Sequence, residues 1–94
     1  MTKAEVINQI AQQTGIDKTE VSITMESFFS IVKDQMAQGE NIYVRGFGSF
    51  VNKKRAQKVA RNISKGTRIV VEEHYIPSFK PSKKFVDLIK NKDK

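Results

Sequence analysis

A run of positive charge in the middle of the chain most limits what this sequence can fold into. Residues 53–68 include seven basic side chains and no acidic one. Such a segment cannot line a hydrophobic core, and its charges repel one another unless a ligand of opposite charge is bound. Because patterned segments lie on both sides of it, we interpret the run as part of a folded element rather than as a solvated tail. Its basic residues are Lys53, Lys54, Arg55, Lys58, Arg61, Lys65 and Arg68.

The excess of positive charge is confined to the second half of the chain. Residues 1–52 hold four basic and six acidic side chains, whereas residues 53–94 hold thirteen basic and four acidic ones. The net charge is therefore −2 in the first part, +9 in the second and +7 in total. An excess of this size on a short chain favours a polyanionic partner.

Length and composition exclude several classes of protein. A chain of 94 residues is expected to form one domain, because two would each lack a core. No apolar run approaches the roughly 18 residues of a membrane-spanning helix, and the polar start has no pattern of a secretory signal. Without cysteine, and with one histidine, the sequence predicts no disulfide, no thiol catalysis, no zinc site and no cofactor.

Two helices are predicted before residue 40. Thr2 and Glu5 have the spacing of a capping box, and apolar residues then recur at helical spacing until Gly15. A longer helix is predicted after Asp17, ending before Gly39, where a helix terminus favours glycine. The two would form a helical hairpin. The apolar stripe of the first is Val6, Ile7, Ile10 and Ala11, and that of the second is Val21, Met25, Phe28, Phe29, Val32 and Met36.

The second helix is apolar beyond this stripe, since Ile23 and Ile31 lie off its main line. The short first helix cannot cover so wide a face. Burial against the protein's own sheet is one explanation, and a second subunit is the other; we favour the dimer, because a small chain gains much from a shared core. The residues assigned to this dimer core are Phe28, Phe29, Ile31, Val32, Phe47, Phe50 and Phe79.

After residue 40 the pattern changes from helical to extended. A short strand is predicted at 41–44 and another from Ser49, separated by Gly46-Phe47-Gly48. A Gly-x-Gly pair suggests nucleotide binding only where a helix follows it, and here a strand follows. The glycines are therefore predicted to permit a bulge or a close approach of backbone, and the phenylalanines to lie in the core.

Residues 51–75 are predicted to form a long hairpin with its turn near Ser64-Lys65-Gly66. The returning strand, 67–71, is rich in β-branched residues, but the outgoing run, 53–60, has too few apolar residues to line a core. The hairpin must then project from the body, as a mobile arm that orders when a ligand arrives. A last short helix is predicted from about Pro81.

This ordered set of features closely resembles the HU/IHF family of bacterial DNA-bending proteins over essentially the whole chain. The motifs that carry the resemblance are Gly-Phe-Gly-Ser-Phe at 46–50, the basic hairpin, Arg61-Asn62 and Pro-Ser-Phe at 77–79. The resemblance implies an intertwined dimer whose two β-arms reach around DNA through the minor groove. It also implies little base-specific hydrogen bonding, with apolar arm tips wedged between base steps.

Arg61 and Asn62 match the family's arm-tip motif, and residue 63 corresponds to its wedge, which is proline in most relatives and Ile63 here. Isoleucine is also an apolar wedge, but it lacks the rigid ring and carries an amide hydrogen that needs a partner. The alternative for Ile63 is a tip residue packed on its own arm. The resemblance therefore implies binding, whereas it does not fix the depth of the kink at this position.

The candidate DNA-binding residues fall into two sets. The basic side chains of the arm are expected to bind phosphates, Arg61 to enter the minor groove, and Asn62 to contact base acceptors there. A second set of lysines on the body is expected to contact flanking DNA, although each alone could be an ordinary solvated charge. The arm set is Lys53, Lys54, Arg55, Lys58, Arg61, Asn62, Ile63, Lys65 and Arg68, and the body set is Lys3, Lys18, Lys80, Lys83 and Lys84.

Three other functions fit the sequence less well. An enzyme is disfavoured because Glu72 and Glu73 point to opposite faces of a strand, and the lone His74 has no nucleophile or second base to act with. A basic RNA-binding or ribosome-associated protein is the main alternative, but residues 53–68 contain no aromatic side chain on which unpaired bases could stack. A pure scaffold would leave the basic arm unexplained.

The sequence thus predicts an α+β fold in a single domain, 1–94. Its parts are a helical body at 1–39, a three-stranded antiparallel sheet with a long protruding β-hairpin arm at about 41–76, and a C-terminal helix at about 81–91. We predict an architectural protein that binds double-stranded DNA with little sequence preference and bends and compacts it. It is expected to be a homodimer, or a heterodimer with a paralogue, in the cytoplasm and bacterial nucleoid. No membrane or small-molecule substrate is expected.

Overall fold

The computed structural model describes residues 1–62 and 66–92, with backbone alone at 60–62 and 67. The elements, in chain order, are α1 (Lys3–Thr14), α2 (Lys18–Ala37), β1 (Ile42–Val44), β2 (Gly48–Arg55), β3 (Lys58–Asn62), β4 (Thr67–Val71), β5 (His74–Pro81) and α3 (Lys83–Lys90). Helices and antiparallel strands occupy separate parts of the chain, so the predicted α+β class is confirmed. The chain divides into two compact units, Met1–Asp34 and Gln35–Lys94.

In the first unit, α1 begins with the predicted capping box. The Thr2 hydroxyl accepts a hydrogen bond from the Glu5 amide (3.2 Å), and the Glu5 carboxylate accepts one from the Thr2 amide (3.3 Å). These bonds satisfy two of the donors that a helix leaves exposed at its start. At the other end Gly15 adopts φ 77° and donates its N–H to the Ala11 carbonyl (2.9 Å). The sequence therefore determines both ends of this helix.

Within this unit, one residue in the apolar stripe of each helix is buried. Ile7 on α1 is 7% exposed and Val21 on α2 is 5% exposed. The helix α2 begins directly after Asp17, whose carbonyl accepts the Val21 amide (3.0 Å). It ends at Ala37, and Gly39 follows with φ 91°, as its position in the sequence predicts.

In the second unit, β1, β2 and β5 form an antiparallel sheet with β2 in the middle, which we call the body sheet. The register pairs Val44 with Gly48 across the β1–β2 turn and Phe50 with Phe79 across β2 and β5. The strand β5 contains Pro77 and Pro81. Its place at the edge of the sheet accommodates them, because an edge strand tolerates residues without an N–H. The predicted close approach at the Gly-x-Gly is confirmed, since a Cβ on Gly48 would lie 2.6 Å from the Lys80 carbonyl oxygen.

A second antiparallel sheet contains two strands, β3 and β4. Pairing between β2 and β5 ends with Arg55 and His74, and pairing between β3 and β4 begins with Lys58 and Val71. Two residues on each side of this break, 56–57 and 72–73, belong to neither sheet. The predicted long hairpin is thus divided into a base within the body sheet and an outer hairpin, which we call the arm (β3 and β4).

The last helix begins two residues later than the sequence predicts. Pro81 pairs with Gly48 as the final residue of β5, and Ser82 is the N-cap of α3. The Ser82 hydroxyl accepts a hydrogen bond from the Phe85 amide (3.2 Å), and its own N–H donates to the Phe47 carbonyl (2.9 Å). A serine that satisfies a helix donor is a stronger start signal than a proline in the first turn, which explains the difference.

Four phenylalanines from β2, β5, α3 and the Gly-x-Gly turn form an aromatic cluster. The ring centroid of Phe79 lies 5.1 Å from that of Phe47, 5.3 Å from that of Phe50 and 6.2 Å from that of Phe85. Phe47 also stacks on Phe85 with a centroid distance of 5.2 Å. These separations lie in the range where aromatic pairs attract beyond simple burial. The cluster therefore ties α3 to the body sheet.

Candidate nucleic-acid interface

The described side chains of the segment that the sequence marks as basic are presented to solvent. Every described side chain from Lys53 to Tyr75 is exposed. Because the arm strands pair with each other and form a sheet separate from that of the body, they do not share the body's ladder of hydrogen bonds. The arm is therefore a surface element with its side chains available to a ligand on both faces.

Cations recur along the strands of this segment. Lys53, Lys54 and Arg55 are consecutive at the end of β2, and Lys58 begins β3. In the arm, the backbone register pairs residue Arg61 with Arg68. A high density of like charge along a chain is unfavourable. A polyanion removes this cost, which gives the hairpin a physical reason to bind one.

The arm also carries exposed apolar side chains. Val59 and Val70 are cross-strand partners and are 59% and 50% exposed, and Ile69 is 46% exposed. A two-stranded hairpin with no core beneath it is marginally stable in water. The β-branched residues of the arm favour extended backbone. A bound partner can stabilise the hairpin further.

Among the described residues, one acidic side chain contacts the basic segment. The Nζ of Lys54 lies 3.0 Å from Oε1 of Glu73, and both side chains are more than half exposed. An exposed pair of this kind contributes little to stability, about 0–1 kcal/mol. A phosphate competes with Glu73 for the same ammonium group. Among the candidate cations of the arm and its base, Lys54 is therefore the one with an acidic partner in the described part.

The residue just before the basic segment is fixed to the body. The Asn52 backbone N–H donates to Oδ1 of Asn41 (2.9 Å), and its side-chain Nδ2 donates to the Glu40 carbonyl (3.0 Å). These bonds hold the middle of β2 to the residues that precede β1. Sequence reasoning does not single out Asn52, because an asparagine inside a strand gives no sign of its partners.

The body lysines differ in their surroundings. Lys3 forms an ion pair with Glu26, and the hydrogen bond and charge of Lys3 lower the pKa of the Glu26 carboxyl below its ordinary value of 4.5. Lys18 is exposed at the start of α2. Lys80, Lys83 and Lys84 are exposed around the end of β5 and the start of α3. The last three therefore form a local group of cations.

The tip of the arm contains the residues to which the sequence assigns groove binding and wedging. Ile63, the predicted wedge, and Lys65 lie outside the described residues. Arg61 and Asn62 are placed by their backbone at the end of β3, where Asn62 pairs with Thr67. Gly66 has φ 63°, as a tight turn favours. The roles assigned to these tip residues stay predictions.

The residues assigned to a dimer core are largely uncovered in the single chain. Phe28 and Phe29, whose rings meet edge to face at 5.7 Å, are 43% and 39% exposed, and Ile31 is 55% exposed. Phe47 and Phe79 of the aromatic cluster are also exposed, while Val32 and Phe50 are half-buried. Of the described hydrophobic side chains, the buried ones are Ile7, Val21 and Met36. Large exposed apolar patches mark interaction surfaces.

The described residues offer no group of three or more His, Asp or Glu side chains that could hold a metal ion. Within the same part of the chain, no helix is long and apolar enough to cross a membrane.

Comparison with known proteins identifies the family of the chain. The family profile described as "Bacterial DNA-binding protein" matches residues 1–90. A SPbeta prophage-derived DNA-binding protein HU 2 of Bacillus subtilis (strain 168) is 33% identical over 92 residues, which cover 98% of this chain and 100% of that protein. The integration host factor subunit beta of Escherichia coli O139:H28 is 39% identical over 88 residues, covering 93% of this chain and 94% of that subunit.

Solved structures share the fold. The HU chain of an Anabaena HU–DNA cocrystal structure superposes with a TM-score of 0.90 at 20% identity, covering 97% of this chain and 99% of that one. A mutant HU from Thermotoga maritima gives a TM-score of 0.73 at 27% identity, covering 95% and 99%. The matching family profile and the two relatives place the chain among bacterial DNA-binding proteins. The chain belongs to the bacterial DNA-binding protein family, the HU/IHF family.

Proposed function

We propose that two copies of this chain form a dimer whose arms grip double-stranded DNA through the minor groove and bend it. The observation that carries the proposal is the exposed arm, set off from the body sheet and preceded by Lys53, Lys54 and Arg55. Lysine and arginine bound to phosphates release condensed counterions, which gives binding that tolerates many sequences and weakens with salt. The protein is thus an architectural one that bends and compacts DNA.

The roles within the arm follow from the chemistry of each side chain. The exposed cations Lys58 and Arg68 bind phosphates on either side of the groove. Arg61 enters the groove, where narrow A·T-rich DNA has the most negative potential, and Asn62 contacts base acceptors that distinguish sequences poorly. Ile63 is the apolar wedge that enters a base step.

Bending needs contacts beyond the arm. Smooth bending of a site of 20–30 bp costs on the order of 1–6 kcal/mol. Contacts between the flanking DNA and the body offset this cost. The group formed by Lys80, Lys83 and Lys84 supports such contacts, since all three side chains are exposed. Lys18 is a further candidate, and Lys3 must exchange Glu26 for a phosphate before it can contribute.

The dimer explains the uncovered apolar surface. Phe29 and Ile31 on α2 and the open side of the Phe47–Phe79 pair would be covered by the partner. A chain of this size buries too little surface alone, and a shared core supplies the difference. Both homodimers and heterodimers with a paralogue satisfy this requirement.

No catalytic role is proposed. The chain binds DNA without changing it chemically, in the cytoplasm and on the bacterial nucleoid. The proposal draws support from the family's description as DNA-binding proteins and from the relatives' names. It requires neither a cofactor nor a small-molecule substrate.

A competition experiment tests the proposal. A labelled straight duplex is displaced by unlabelled straight, nicked and four-way DNA duplexes and by an RNA duplex of the same length. Architectural binding predicts that the nicked and four-way DNAs compete best, because they are already bent or easily bent. RNA that competes as well as the best DNA, or failure to bind any duplex, would contradict the proposal.

A further inference from the structure

A groove lies at the base of the arm, where the body sheet ends and the arm sheet begins. We call it the arm-base groove; it is lined by Lys54, Arg55, Ala56, Lys58, Val71, His74 and Ile76. Three of these residues are cations from β2 and β3. His74 occupies the first position of β5, as the cross-strand partner of Arg55. The arm-base groove therefore has the lining of a phosphate site.

The imidazole of His74 has one ring nitrogen within hydrogen-bond distance of the backbone. Its Nδ1 lies 2.9 Å from the carbonyl oxygen of Glu72. A carbonyl oxygen only accepts hydrogen bonds, so Nδ1 carries the hydrogen in this contact. In the neutral ring Nε2 is then a bare acceptor, and it cannot bond a phosphate oxygen, which is also an acceptor. Protonation converts Nε2 into a donor and gives the ring a positive charge.

Charged groups surround His74 on several elements. Three cations, Lys54, Arg55 and Lys58, line the groove with it. The neighbouring Glu73 carboxylate is paired with Lys54. A phosphate placed among the cations would stabilise an imidazolium directly. The charged groups of the surrounding elements are Lys53, Lys54 and Arg55 on β2, Lys58 on β3, Arg68 on β4, and Glu72, Glu73 and Tyr75 beside His74.

We propose that His74 is a phosphate-binding residue that contacts the DNA backbone only as the imidazolium, so that duplex binding takes up a proton at the base of each arm. This inference rests on the proposed function and extends it to a residue outside the basic run. Nδ1 stays bonded to the Glu72 carbonyl, and the Nε2 hydrogen taken from solvent is donated to a phosphate oxygen. Acidification then strengthens binding, because it supplies the form that the phosphate selects.

The affinity for a duplex, measured as a function of pH at constant ionic strength, tests the inference. Fluorescence anisotropy with a labelled duplex of about 30 bp should show the Kd falling by about threefold or more between about pH 8 and about pH 6. Since His74 is the single histidine of the chain, its variants isolate the effect. His74→Asn should bind as weakly as the unmodified protein at high pH, with no dependence on pH. His74→Lys should bind tightly at both values, again with no dependence.

Isothermal titration in buffers of different ionisation enthalpy provides a second measurement. Near neutral pH the unmodified protein should take up protons on binding, and both variants should show a smaller uptake. Circular dichroism must show that the variants keep the fold. Binding that is equally pH-dependent in His74→Asn, or binding without any pH dependence in the unmodified protein, overturns the inference. Absence of duplex binding at every pH would instead overturn the proposed function.

Discussion

Gly48 lies directly against the ring of Phe79: a Cβ at residue 48 would be 2.7 Å from Cζ and 2.8 Å from Cε1 of that ring, and 2.6 Å from the Lys80 carbonyl oxygen. The glycine is required because the ring and the backbone of β5 occupy the space of a side chain. The same ring belongs to the aromatic cluster. A change at residue 48 therefore acts on the packing of α3 as well as on the sheet.

Gly48→Ala is expected to destabilise the fold by about 1–3 kcal/mol, the usual cost of forcing an extra methyl group into a filled space. The free energy of unfolding, obtained by chemical denaturation, measures this. Gly46→Asn is the matched control, because residue 46 has open space around it and a φ of 82°, which asparagine tolerates. Equal losses in the two variants would contradict the steric argument.

The basic segment predicts the salt dependence of binding. Replacing Lys58 or Arg68 by glutamine should weaken duplex binding and reduce the slope of log Kd against log salt concentration by about 1 for each phosphate that is no longer neutralised. Lys33→Gln removes an exposed charge on α2 outside the candidate site and should leave the slope unchanged. A mobility-shift titration at several salt concentrations gives the slopes. Slopes that do not differ among the three variants would remove the arm from the interface.

The predicted wedge gives a test of bending separate from affinity. Ile63→Asp places a charge where an apolar side chain is expected to enter a base step, so bending should fall more than affinity does. Energy transfer between dyes at the two ends of a duplex measures the bend, and anisotropy on the same duplex measures the Kd. Ile63→Pro is the control that keeps an apolar wedge and should preserve the bend. An unchanged bend in Ile63→Asp would show that the kink has another source.

The uncovered apolar surface predicts a dimer. Analytical ultracentrifugation at micromolar concentration should give twice the chain mass of 10.7 kDa. Phe29→Asp introduces a charge into the proposed interface and should shift the protein toward the monomer or unfold it, since unpaired buried charges are costly. Lys33→Gln, on the same helix, should leave the mass unchanged. A stable, folded monomer of the unmodified chain at this concentration would refute the shared core.

The ion pair of Lys3 with Glu26 predicts a small dependence of stability on pH. The pKa of Glu26 is lowered in the folded chain, chiefly by its hydrogen bond to Lys3. The carboxylate therefore stabilises the fold fully above its ordinary pKa of 4.5, and this contribution is lost as the pH falls through the lowered folded-state pKa. The difference in Tm between the unmodified protein and Glu26→Gln should be present at neutral pH and vanish in acid. A difference that persists in acid would assign the effect to something other than ionisation.

Local sequence signals predict much of the fold because they are satisfied locally. The Thr2–Glu5 capping box and the glycines at 15 and 39 lie where the helix termini need them. The break between the two sheets could not be predicted in this way. Residues 56–57 and 72–73 contain neither glycine nor proline, so no local signal marks the point where pairing stops.

The positive charge of the candidate site can be predicted from the sequence, but the partners of its side chains cannot. The run of cations is visible in the sequence, whereas the Lys54–Glu73 pair depends on how two strands end beside each other. His74 similarly has no sequence signal, since a lone histidine acquires meaning only from the Glu72 carbonyl and the cations opposite it. The stacking of Phe85 on Phe47 likewise depends on the fold, which brings the start of α3 beside the Gly-x-Gly turn.

The break in pairing after Arg55 and before His74 has a further consequence for how the molecule can vary. Since the two hydrogen-bond ladders end independently, the hairpin beyond the break is a modular extension of a finished sheet. Inserting two residues into each arm strand keeps every side chain on its original face of the arm. The same insertion leaves every pair of the body sheet in register. Reach along a bound polymer can thus be lengthened or shortened without redesigning the scaffold that carries it.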